Sequence, residues 1–246
     1  MRSIRPLCAL VAVAVALAGS RRPAAQSRPL VAPAAEAIYE RLLPEIERIR
    51  IFDHHAHPGF AGDPEIDPAP ALPGNILVRL RPDNPDWAAA AHALFAFPFA
   101  DVEGAHGKWL ADRKAEFRRR HPGPQYFDAI LDKLGIETSM ANRISMSPDL
   151  DPARFKWVFY IDAVMYPFDN SGLASRNPDE AAFMPAQTEL VQRFARQAGL
   201  KGWPATFGEY LSFVTRTIED HRRRGAVALK FEAAYFRPLA FDDPPR

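Results

Sequence analysis

Two histidines separated by a single residue, His55 and His57, close a run that begins with isoleucines at positions 49 and 51. On a strand, residues two apart point to the same side with their Cα atoms roughly 6.5 to 7 Å apart, so both rings can reach one ion. Imidazole suits zinc and other borderline divalent metals. A bare His-x-His pair also arises among ordinary surface or core histidines. Here Asp53 precedes the pair on the same expected face, and Pro58-Gly59 follows as a turn, which favours a metal pair at the end of a strand. Asp53 is expected to stand behind the ligands, either orienting a ring or anchoring the chain by a local hydrogen bond. His54 falls on the opposite face and is not expected to be a ligand.

A second group lies in the run from Gly225 to Tyr235, where Ala226, Ala228, Lys230 and Glu232 alternate with Val227, Leu229, Phe231 and Ala233. Lys230 would sit at the mouth of a barrel above two small alanines. A desolvated lysine sheds its charge readily, which allows CO₂ to convert it to a carbamate, an anionic group able to bridge two metals. The plainer alternative is a simple pair between Lys230 and Glu232. Weaker candidates are Arg143 and Arg237, each of a type that grips a carboxylate by two parallel hydrogen bonds, and Asp162 and Tyr166, which could orient a substrate. There is no Gly-rich phosphate loop, no Gly-x-Ser-x-Gly elbow and no cysteine cluster.

The elements that must position these residues are legible as alternating strands and helices. Strands are expected at 49–57, 138–144, 156–165 and 226–235, with helices at 38–49, 126–134 and in two segments before the last strand. Asn177-Pro178-Asp179-Glu180 and Thr206-Phe207-Gly208-Glu209 are helix-start signals. Residues 58–125 contain many prolines and no strand-like run. They read as an inserted cap with helices near 87–95 and 106–120. Such an order argues for a parallel α/β sheet, although the link between the second and third strands is short for a helical crossover.

The chain has 246 residues, 48% hydrophobic and 25% charged, and it opens with Arg2, Arg5 and an apolar run from Leu7 to Ala18. That run is too short to span a bilayer, which takes about 20 apolar residues, and reads as an export signal. We expect residues 1–25 to be removed, residues 26–37 to form an Ala- and Pro-rich linker, and the mature protein to be exported with no stable membrane insertion. Cys8 is the only cysteine, so the mature chain would form no disulfide. Loss of residues 1–25 takes away four arginines and no acid, leaving 27 basic against 30 acidic residues, a formal net charge of −3. That balance argues against nucleic acid as a partner and leaves a small-molecule substrate.

Taken together, Asp53-His54-His55-Ala56-His57 and the strand bearing Lys230 resemble the amidohydrolase superfamily of metal-dependent enzymes, whose Asp-x-His-x-His motif ends the first strand of a (β/α)₈ barrel. The resemblance implies that His55 and His57 are metal ligands for one or two divalent ions, zinc among them. It also implies that Lys230, on the fourth strand, is a carbamylated bridge. The family pattern continues with histidines after the fifth and sixth strands and an aspartate after the eighth. This sequence stops at Pro244-Pro245-Arg246, so we expect only about the first four strands, and no residue is assigned as the acid or base for the hydrolytic water. His221 falls within a helix and cannot replace the later histidines. The implied function is hydrolysis of a C–N or C–O bond. The alternatives are a decarboxylase or sugar-acid isomerase on the same barrel, and an inactive fragment or half of a split barrel.

Overall fold

The computed structural model describes residues 31–60, 62–67, 84–166, 169–175 and 178–235. The expected signal, residues 1–25, and the candidate Arg237 lie outside them. The chain divides into two units, one ending at Arg48 and one beginning at Ile49. In the first, a 3-10 turn at Pro33–Ala35 leads into α1 (Glu36–Arg48), so helix replaces the end of the expected linker. Ile38, Leu42 and Ile46 line one side of α1 at four-residue spacing.

The second unit is mixed α/β and is built on a four-stranded sheet in the order β1 (Ile51–Ala56), β2 (Ile136–Arg143), β3 (Phe155–Tyr160) and β4 (Ala226–Lys230). Every pairing is parallel. Between β1 and β2 come α2 (Pro85–Phe95), α3 (Gly104–Arg120) and α4 (Gln125–Leu134). The cap expected at 58–125 thus contains two helices among the described residues. Asn84 caps α2 by accepting the Asp86 N–H at 3.0 Å, with Pro85 at the first helical position. Gly135 ends α4 with φ of 71°, a left-handed turn that lets Ile51 bond back to the Gly135 carbonyl.

Residues 144–154 link β2 to β3 without a helix. Buried Leu150 fills part of the space a helix would occupy, packing with Leu131, Ala141 and Phe155. After β3 come a 3-10 turn (Asp162–Met165), the short α5 (Ser171–Ala174), α6 (Pro178–Gln197) and α7 (Phe207–Arg223). The third strand therefore ends at Tyr160, not 165. Its apolar composition continues, but Ile161 turns to donate its N–H to the Lys230 carbonyl. The fourth strand likewise stops at Lys230, before a 3-10 turn at Ala233–Tyr235.

The main core lies between one face of the sheet and α6 and α7. Trp157 and Phe159 pack there against Leu190, Val191 and Phe194 of α6 and Tyr210 and Phe213 of α7. Truncating a fully buried phenylalanine such as Phe213 costs about 3 to 5 kcal/mol. His221 belongs to this core. Its ring stacks on Phe159 at 3.6 Å and its Nδ1 donates to the Thr217 carbonyl at 2.7 Å, while burial holds it below the ordinary imidazole range.

Candidate metal site at the strand ends

The strand that carries the histidines is not regular. Asp53 pairs with Ser139 and Ala56 with Ala141, so three steps on β1 match two on β2. One extra residue is accommodated as a bulge. Its cause is local: Asp53 Oδ1 accepts the His55 N–H at 3.1 Å, a turn that aspartate favours, while Oδ2 accepts the Ser139 hydroxyl at 2.9 Å. Because Ser139 and Ala141 share a face of β2, Asp53 and Ala56 share that face too. This corrects the sequence expectation that Asp53 lies on the same face as His55 and His57. Asp53 instead anchors the main chain of His55.

Beyond the bulge the two imidazoles converge. His55 Nε2 and His57 Nε2 stand 3.1 Å apart, with ring centroids at 5.2 Å. Two imidazoles on one tetrahedral zinc at Zn–N near 2.05 Å hold their nitrogens about 3.3 Å apart, so the spacing fits a shared ion. His57 Nδ1 faces the Tyr160 hydroxyl at 3.1 Å and the Asp67 carboxylate at 3.4 Å. With the proton on Nδ1, where the Tyr160 hydroxyl can accept it and the nearby Asp67 carboxylate favours it, the Nε2 lone pair is left for a metal. Burial, then the positive charge of Lys230, pushes His55 below the usual imidazole range, which favours the neutral ring a metal needs.

The loop that carries Asp67 is tied down by a buried arginine. Arg143 is only 1% exposed; it donates Nη2 to Asp63 at 2.7 Å, Nε to the Ser145 carbonyl at 2.8 Å, and Nη1 to the Pro58 carbonyl. A Cβ on Gly59 would meet the Ile66 side chain, and Arg143 Nη1 at 2.8 Å, so any larger residue there has to push one of them aside. Farther along, Glu65 accepts both Nη atoms of Arg193 and the Ser145 hydroxyl. Burial raises Asp63 and Glu65, but their arginine partners outweigh it and hold both carboxyls below the usual range. Arg143 is thus committed to the loop, and its guanidinium is not open to a substrate carboxylate as the sequence suggested.

Lys230 ends β4 as the register partner of Tyr160, and its charge is felt at both His55 and Asp162. Asp162 follows β3 and is 1% exposed; its Oδ1 accepts the Glu232 N–H at 2.6 Å, while Oδ2 is buried with no hydrogen-bond partner among the described residues. Burial pushes its carboxyl up to about 6. A carboxyl with that pKa can hold or release a proton near neutrality. Tyr166 sits apart, in a small cluster with Phe183 and Met184.

Sequence reasoning missed Tyr160 and Asp67. Tyr160 could have been found, since it alternates with Lys156 and Val158 at the end of an apolar strand. Asp67 lies in a proline-rich loop with no local signal. Among the described residues no group of three or more His, Cys, Asp or Glu side chains gathers as a metal site. No described helix is long and apolar enough to cross a membrane. No family model, curated protein or solved structure matches the chain.

Proposed function

We propose that the parallel sheet is part of a (β/α)₈ barrel of the amidohydrolase type, exported, and that the chain is a metal-dependent hydrolase acting on a C–N or C–O bond of a small molecule. The observation that carries this reading is the 3.1 Å approach of His55 Nε2 to His57 Nε2 at the C-terminal end of a parallel strand, where barrels of this kind place their sites. His55 and His57 would hold a divalent ion such as zinc, and Lys230, carbamylated, would supply a further oxygen donor. When bound, such an ion lowers the pKa of its water from 15.7 towards about 7. The protein's own residues do the rest: Asp67 and Tyr160 fix the His57 tautomer, Asp53 fixes the His55 main chain, and Asp162 Oδ2 can take up or give up a proton at the end of β3. The decarboxylase or sugar-acid isomerase alternative drew on a carboxylate bound by Arg143 or Arg237. With Arg143 committed to Asp63, it loses half of that support.

Elemental analysis of the purified chain beside a His55→Ala/His57→Ala variant tests the proposal. About one equivalent of zinc or a similar ion per chain is expected, lost in the variant with circular dichroism unchanged. Metal retained by the variant, or absent from both after zinc supplementation, would overturn it.

A further inference from the structure

Asn142, near the end of β2, stands on the same face of the sheet as the histidine pair. Ala56 is the register partner of Ala141. His57 and Asn142 each follow by one residue, so they lie side by side on the face turned away from the helices, about 5 Å apart at the strand spacing. On its other flank Asn142 pairs with Val158 of β3, and Tyr160, two residues further on, reaches back to His57 Nδ1 at 3.1 Å. Asn142 thus lies between the strands that carry His57 and its tyrosine, with Met140 and Val158 as apolar neighbours on that face.

The Asn142 side chain is held by one end. Nδ2 donates to the Ala56 carbonyl at 3.1 Å and to the Met140 carbonyl at 3.3 Å. An amide nitrogen carries two N–H bonds and carbonyl oxygens only accept, so both are spent and the amide cannot flip. Oδ1 therefore has a fixed place, and among the described residues no donor reaches it. The residue is only 3% exposed, yet unlike Asp162 Oδ2 its Oδ1 is not sealed from outside. Holding the Ala56 carbonyl explains Nδ2 but not Oδ1, and a nearly buried acceptor without a partner is both rare and costly in a native protein.

We propose that Asn142 Oδ1 is the acceptor that selects the substrate, taking a hydrogen bond from an N–H that lies beside the atom the metal holds. The inference rests on the metal reading of His55 and His57 given above, and it narrows the bond to be cleaved to C–N. A primary or secondary amide, or a related C–N compound, carries a hydrogen at that place. An ester carries an oxygen there, whose lone pairs would oppose those of Oδ1. Among apolar neighbours the bond to Oδ1 is stronger than in water, and a ligand lacking the N–H strips Oδ1 of solvent and gives nothing back.

Acetohydroxamate and N-methylacetohydroxamate test this, since both chelate a metal through their oxygens and differ by a single N–H. Titration calorimetry of the zinc-loaded chain is expected to show acetohydroxamate binding at least about 10-fold more tightly. In an Asn142→Leu variant with unchanged circular dichroism the ratio should fall to within about two-fold, because leucine keeps the bulk and removes the acceptor. Asn142→Ala reads the same loss if the leucine variant does not fold. A wild-type chain that takes up zinc and shows no preference overturns this inference alone. So does a preference that survives in the variants, since the methyl group is then refused by shape. A chain that takes up no zinc overturns the metal reading, and this inference falls with it.

Discussion

Replacing Asp162 by asparagine should stabilise the protein at neutral pH and destabilise it in acid. The Asp162 carboxyl titrates at about 6 in the fold against 3.8 when unperturbed, because burial disfavours its charge. A raised carboxyl pKa means that the folded state binds the proton more tightly than the unfolded chain. Above pH 6 the fold therefore carries the cost of a buried charge, and that cost fades as pH falls from 6 to 3.8. About two units correspond to at most about 3 kcal/mol. Asparagine keeps the Oδ1 acceptor for the Glu232 N–H but places an amide where Oδ2 has no hydrogen-bond partner, which costs about 1 to 2 kcal/mol. The net expectation is a gain of about 1 to 2 kcal/mol at pH 7.5 that becomes a loss of similar size near pH 4. Urea unfolding of both proteins across this range reads it directly. A stability difference that stays constant with pH would refute the reasoning, since no differential proton binding would then reside at Asp162.

Other outcomes follow from the same geometry. Asp67→Asn/Tyr160→Phe should weaken zinc affinity about 10-fold or more in a chelator competition, by removing both partners of His57 Nδ1; unchanged affinity would show that neither sets the tautomer. Arg143→Met should cost about 3 kcal/mol in denaturant unfolding and open the 58–67 loop to proteases, because it breaks a buried ion pair with Asp63. His221 has a folded pKa below 6.5, so the stability it supports is complete above about pH 6.5 and lost as the pH falls below it. His221→Gln should flatten that part of the stability profile, read as denaturant midpoints between about pH 7 and 5.

The elements were legible where periodicity and end signals agreed. Thr206 with Glu209, and Gly135, each mark a helix end by chemistry that needs no tertiary partner. The ends of β3 and β4 were not legible, because the apolar run through Ile161, Val164 and Met165 suits a buried 3-10 turn as well as a strand. The site divided the same way. His55 and His57 were singled out by strand parity, whereas the buried grip of Arg143 on Asp63 joins residues 80 apart in sequence, and Asp67 reaches His57 from a proline-rich loop, neither of which a local pattern encodes. Asp53 shows the limit most clearly: its residue type was legible, but its hydrogen bond to the next residue but one breaks the parity used to place it.

That bulge makes the orientation of the imidazoles a matter of counting. With His54 present, the chain before Asp53 and the chain after Ala56 are out of step by one, and the rings turn away from the helices. Deleting a single codon at position 54 would restore a regular ladder, with Ala56 still opposite Ala141 and both rings still turned away from the helices, at the loss of the turn in which Asp53 accepts the His55 N–H. Loss of the bulge with residue 54 kept would instead set His55 opposite Ala141 and turn both rings into the core, so the site depends on the extra residue being looped out and not on which residue it is.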